Sequence, residues 1–149
     1  MKTLPAFTRH SPRRRIARPT LAALTIVAAS CATVDTAIVA KPGVEFNLAA
    51  GQTATLSGTG YRITFDRVTE DSRCPIDVVC VWAGDAKIQL TIARSTAPAD
   101  IRVLGLTPPN SETDSNGVRI RFVSLAPAPR QSEPSGSRQY VARLVVVGP

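Results

Sequence analysis

The feature that most constrains this chain is a two-residue hydrophobic alternation that recurs along most of its length. Val44, Phe46 and Leu48 alternate with Glu45 and Asn47, and Ala54 and Leu56 with Thr53 and Thr55. Tyr61, Ile63 and Phe65 alternate with Arg62, Thr64 and Asp66, and Ile88, Leu90 and Ile92 with Lys87, Gln89 and Thr91. Val118, Ile120 and Phe122 enclose Arg119 and Arg121, and Tyr140, Ala142, Leu144 and Val146 close the series. Successive side chains of a strand point to opposite faces, so each segment reads as a strand with one face buried. Residues 101–106 add a further strand. Val78–Trp82 is apolar at every position and reads as a central strand covered on both faces. No segment carries a helical period. Polar, Pro-rich or Gly-rich breaks fall at 57–60, 94–100, 107–117 and 127–139. Seven or eight short strands with such breaks predict an all-β domain, a small β-sandwich or barrel. The two long breaks are candidate binding loops.

The first thirty residues do not share this pattern. Lys2, Arg9, Arg13, Arg14, Arg15 and Arg18 precede a ten-residue uncharged stretch at 20–29, which ends in Ala29-Ser30-Cys31. A basic segment, a short apolar segment and small residues describe a cleaved secretory signal peptide over 1–30. The apolar stretch is too short for a membrane span. Ala28-Ala29-Ser30-Cys31 resembles the lipobox of bacterial lipoproteins, in which the Cys is acylated and becomes the new N-terminus. Cleavage after Ala29 or Ala32, which releases a soluble periplasmic or secreted protein, is the alternative. The arginine pairs give the leader a loose twin-arginine character. Residues 31–43 then read as a lipidated Cys31 and a tether, and 44–149 as the β domain.

Dividing the chain at Cys31 changes the meaning of its charge. The whole chain has 18 Lys and Arg against 11 Asp and Glu, a net +7. Six of the basic residues lie in the leader and none of the acids do, so the remainder is close to neutral. The basicity that would otherwise point to nucleic acid belongs to the export signal. The few aromatic residues alternate with the core pattern, which leaves no stacking platform for single strands.

Cys31, Cys74 and Cys80 are the only cysteines. Acylation of Cys31 would leave an even pair, and Cys74 and Cys80 can form a disulfide in an oxidising compartment. A loop that short would stabilise the fold by roughly 2 kcal/mol on the chain-entropy estimate. Zinc is a poor alternative, because the one histidine, His10, lies in the leader. Without histidine the mature chain cannot run Ser-His-Asp or Cys-His chemistry.

Asp71-Ser72-Arg73-Cys74-Pro75, followed by Cys80-Val81-Trp82-Ala83-Gly84-Asp85-Ala86, is the most distinctive stretch. It resembles the D-S-R-C-P…C-x-W-A-G-x-A signature of a family of uncharacterised bacterial secreted proteins and lipoproteins, over about 45–93. The resemblance implies a small extracytoplasmic β domain with the two cysteines bridged, and it carries over no catalytic residue. Read physically, Arg73 pairs with Asp71 or nearby carbonyls, Pro75 fixes a turn, and Trp82 covers the disulfide from the same strand face. Gly84 ends that strand and Asp85 caps the turn into the next. The functional alternative is a surface ligand site built around Asp71, Arg73 and Asp85.

Two further sets of residues invite a site. Asp66, Glu70, Asp71, Asp77 and Asp85 offer oxygen ligands for calcium, but Arg62, Arg67, Arg73 and Lys87 are interleaved and favour ion pairs. Glu112-x-Asp114-x-Asn116-Gly117 resembles half a calcium loop but lacks the closing acid, so a simple Asn-Gly turn is the better expectation. Arg119, Arg121 and Arg143 form a solvent-facing basic stripe for lipid head groups or anionic polymers, or for cross-strand pairs with acids. No metal or cofactor is expected. The resulting expectation is an exported, lipid-anchored envelope domain that binds a protein or polymer partner and catalyses nothing. The alternatives are an inhibitor-like domain that blocks an extracellular hydrolase through the 74–80 or 127–139 loop, and a carboxylate-dependent hydrolase using a pair among Asp66, Glu70, Asp71 and Asp85.

Overall fold

A computed structural model describes residues 37–133 and 138–148. The expected signal peptide, the acylated Cys31 and the first part of the tether lie outside these residues. The described chain forms nine strands: β1 (Ile38–Ala40), β2 (Glu45–Ala49), β3 (Thr53–Leu56), β4 (Tyr61–Asp71), β5 (Ala86–Arg94), β6 (Ala97–Gly105), β7 (Glu112–Ser115), β8 (Val118–Ala126) and β9 (Val141–Gly148). One sheet has the order β1-β3-β4-β5-β6 and the other β2-β9-β8-β7. All neighbours are antiparallel except β1 and β3. The two sheets face each other as a β-sandwich, and the all-β expectation holds.

The alternation seen in the sequence is what builds the core. Ile63, Phe65, Ile88, Leu90 and Ile92 of the first sheet meet Leu48, Ile120, Phe122, Leu144 and Val146 of the second, all buried. Their polar neighbours turn outward, as a sandwich requires. The Tyr61 hydroxyl donates to the Asn116 carbonyl at 2.5 Å, and the buried Ser115 hydroxyl donates to Asp100 Oδ2 at 2.7 Å. These two bonds tie one sheet to the turn at the end of β7. Asn116 (φ 53°) and Gly117 (φ 86°) form that turn between Ser115 and Val118. Both central residues need a left-handed backbone, which the Asn-Gly pair supplies.

Three expectations about elements are corrected. Val78–Trp82 is not a central strand; it belongs to a loop that runs from β4 to β5. Ile38–Ala40, read as tether, pairs with Ala54–Leu56, so the folded unit includes residues ahead of Val44. The break at 107–117 contains β7, and β6 begins at Ala97, inside the break placed at 94–100. β7 escaped notice because Glu112, Thr113 and Asp114 are polar and sit at a sheet edge, where only Ser115 is buried. Among the described residues no helix is long and apolar enough to cross a membrane.

Candidate functional site

β4 and β5 are joined by residues 72–85, and this loop is the most unusual surface of the domain. Its two legs are stitched by backbone bonds. Ser72 N–H donates to the Asp85 carbonyl at 2.8 Å, and Cys74 N–H to the Ala83 carbonyl at 2.8 Å. Gly84 lies between them with φ 69°, and a Cβ on it would fall 1.8 Å from the Ser72 carbonyl oxygen. Only glycine permits that approach. Further out, Cys74 and Cys80 are joined in a disulfide with their Cα atoms 6.0 Å apart. Asp85 does cap a turn, though not the expected one. Its Oδ1 accepts from Leu106 N–H at 2.9 Å and Thr107 N–H at 3.2 Å, where the chain leaves β6.

The base of the loop is held by a buried charged network. Arg73 donates through Nε to Asp71 Oδ1 at 2.7 Å and through Nη2 to Oδ2 at 2.8 Å. This two-pronged geometry is the strong form of such a pair. Arg73 also donates to the carbonyls of Leu125 (2.6 Å) and Pro127 (3.0 Å). The Tyr140 hydroxyl donates to Asp71 Oδ2 at 2.9 Å, and Arg138 Nη1 stands 3.6 Å from the same oxygen. The side chains of Asp71 and Arg138 are only 3% and 5% exposed. Burial pushes the Asp71 carboxyl up, but hydrogen bonds from Arg73 and Tyr140 and the Arg73 charge outweigh it. The carboxyl is left below its ordinary value of 3.8. The loop is also braced from the side, since Ile76 N–H donates to the Pro129 carbonyl at 3.0 Å and Gln131 N–H to Asp77 Oδ1 at 3.0 Å.

This arrangement corrects two readings of the signature stretch. Trp82 does not cover the disulfide; it is 79% exposed, and Val81 is 89% exposed. Asp71 and Arg73 come together as expected, but they face inward and support the loop, so with Asp85 they do not form a surface site. What the loop presents instead is apolar: Ile76, Val79, Val81 and Trp82 all project into solvent. Asp77 is the only charged residue between Cys74 and Gly84. Arg138 and Tyr140, essential to the base, were not singled out as partners of Asp71, and a 69-residue separation leaves no local signal for them.

The remaining candidates are occupied by structural contacts. Asp66 accepts from Thr91 Oγ1 at 2.8 Å and Gln89 Nε2 at 3.2 Å, and Glu70 pairs with Lys87 at 2.6 Å. The carboxylates named for hydrolysis or calcium are therefore engaged one by one, in separate bonds. Glu112 and Asp114 pair with Arg121 and Arg119, and Glu45 with Arg143 at 3.7 Å. The basic stripe is thus a set of cross-strand ion pairs. Among the described residues no three His, Cys, Asp or Glu side chains are grouped to hold a metal. Comparison with protein-family models, curated proteins and solved structures gives no match.

Proposed function

We propose that the protein is a non-enzymatic interaction module of the cell envelope, exported by residues 1–30, held by an acylated Cys31, and contacting its partner through the 72–85 loop. The exposure of Ile76, Val79, Val81 and Trp82 on a loop fixed at both legs carries this reading. A group of large apolar side chains kept in water marks an interaction site more often than an accident of the surface. Trp is among the residues that dominate binding energy when covered, and a loop already rigid has little ordering entropy left to lose. The Cys74–Cys80 disulfide fits an oxidising, extracytoplasmic compartment.

The test places a photoreactive residue at Val79 or, as a control, at the exposed Arg62 on β4, in cells that express the full chain. A discrete adduct, to protein or lipid, is expected from position 79 alone. Equal or absent labelling at both positions would remove the reading. Incorporation of a fatty-acid analogue that disappears in Cys31→Ser tests the anchor separately.

The convex, disulfide-closed loop also favours a second reading, an inhibitor-like domain whose loop enters the cleft of an extracellular hydrolase. It predicts inhibition that Trp82→Ala abolishes. No inhibition across a broad hydrolase panel would count against it.

A further inference from the structure

We infer that the partner of the 72–85 loop is the bilayer surface itself, with Ile76, Val79, Val81 and Trp82 seated in the interfacial layer. This rests on the interaction-module reading and names its ligand. Three observations carry it.

The first is the chemistry of the tip. Aliphatic side chains beside a Trp are what an interface between hydrocarbon and head groups accommodates, the Trp placing its ring at the boundary. The single charge within the tip, Asp77, is turned back onto Gln131 N–H. On the bracing segment beside it, Arg130 is exposed and makes no ion pair among the described residues. A cation at that level suits anionic head groups.

The second is the direction of the chain. β1 is parallel to β3, and β3 is antiparallel to β4, so β1 runs against β4. β4 ends at the loop. Ile38, where the described fold begins, is therefore the end of β1 that faces the loop pole. Ile38 is level with Ala54 and, across it, with Ile63. From Ile63 to Asp71 the strand rises roughly 26 Å at the usual 3.3 Å per residue. The seven residues from Cys31 to Ile38 reach at most about 25 Å when fully extended. An acylated Cys31 on so short a tether keeps Ile38 close to the bilayer, and the pole that bears the loop is the one the chain enters from.

The third is size. A stable protein interface uses roughly 20–30 residues on each side, and a tip of four apolar side chains falls well short of that. Insertion into an interface needs no matching surface. One acyl chain holds a protein only marginally, and a second contact makes the attachment firm.

Trp82 is the only tryptophan in the chain, so its emission reports the loop directly. The full chain is reconstituted into vesicles of zwitterionic and anionic phospholipid, with and without acyl chains brominated near the head group. Blue-shifted emission and quenching by the brominated lipid are expected. Val81→Asp, a change at an exposed position, should lose more than half of the quenching while keeping the β-sheet circular dichroism. A reference chain with Trp82→Phe and Arg62→Trp should remain unquenched. Water-like, unquenched emission from Trp82 would overturn bilayer docking. If the photoreactive residue at Val79 then captured a protein, the interaction-module reading would survive with a different partner. If it captured nothing, both would fall.

Discussion

Replacing Asp71 by Asn removes one charge from a site where two guanidinium groups and a phenol converge on a carboxylate that is 3% exposed. Breaking a buried ion pair from one side costs about 3–5 kcal/mol, because the partner charge is left in a poor environment. The low end applies here, since Arg73 keeps the carbonyls of Leu125 and Pro127. A loss of about 3 kcal/mol is a large part of the roughly 5–15 kcal/mol available to a domain. With a urea slope of about 2 kcal/mol per molar, the midpoint should fall by about 1.5 M. Far-ultraviolet circular dichroism is the suitable probe, because Trp82 is already in water in the folded state. The effect should also depend on pH, with a definite sign. The folded carboxyl lies below its ordinary 3.8, so its contribution is complete above that value and fades as pH falls through the folded value. The variant has no such group. The gap between the two proteins should be flat from about pH 5 to 8 and narrow below about pH 4. A gap under about 1 kcal/mol at neutral pH, or one that stays constant into acid, would refute the account of the loop base.

Gly84→Ala should cost more than about 2 kcal/mol, because a positive φ and a backbone clash coincide where no side chain can move aside; thermal melts and loss of protection at the Cys74 amide would report it. Replacing Cys74 and Cys80 together by Ser should lower stability by about 2 kcal/mol on the chain-entropy estimate, read by urea unfolding, and should raise proteolytic nicking between residues 75 and 82. Arg119→Ala and Arg121→Ala remove exposed cross-strand pairs, so each should cost under about 1 kcal/mol and less still in high salt.

The sandwich was legible because burial on one face of a strand leaves a period of two. Ile63, Phe65, Leu90, Phe122 and Leu144 could be assigned to the core from that period alone. The pattern was silent where a strand is short or lies at an edge, as in β1 and β7, since few side chains there have a reason to be apolar. It misled at Val78–Trp82, where an apolar run stands for exposure and not for a covered strand. The cysteines held the correcting signal. A disulfide between residues six apart needs Cα atoms 4.4–6.8 Å from each other, whereas an extended segment of six residues would span roughly 20 Å. The chain from Cys74 to Cys80 must double back, which leaves little room for a strand through Val79 and Cys80. The network at the loop base was only half legible. Arg73 meets Asp71 two residues away, but Tyr140 and Arg138 arrive from the far end of the chain, and only the folded sheets bring them there.

The cost structure of the loop is the argument for its having a role. Ile76, Val79, Val81 and Trp82 would lower their free energy by folding back onto the domain, at about 25 cal/mol for each Å² covered. The chain prevents this with bonds that do little else. The disulfide holds the turn, Gly84 lets the legs approach, Pro129 and Gln131 brace one side, and Asp71 is buried with Arg73, Arg138 and Tyr140 to fix the base. A domain that needed only a β4–β5 connection would be served by a short hairpin turn of the kind found at Asn116-Gly117. The fourteen-residue alternative commits buried charge to keeping an apolar tip in water. That trade is favourable only where something other than water covers the tip.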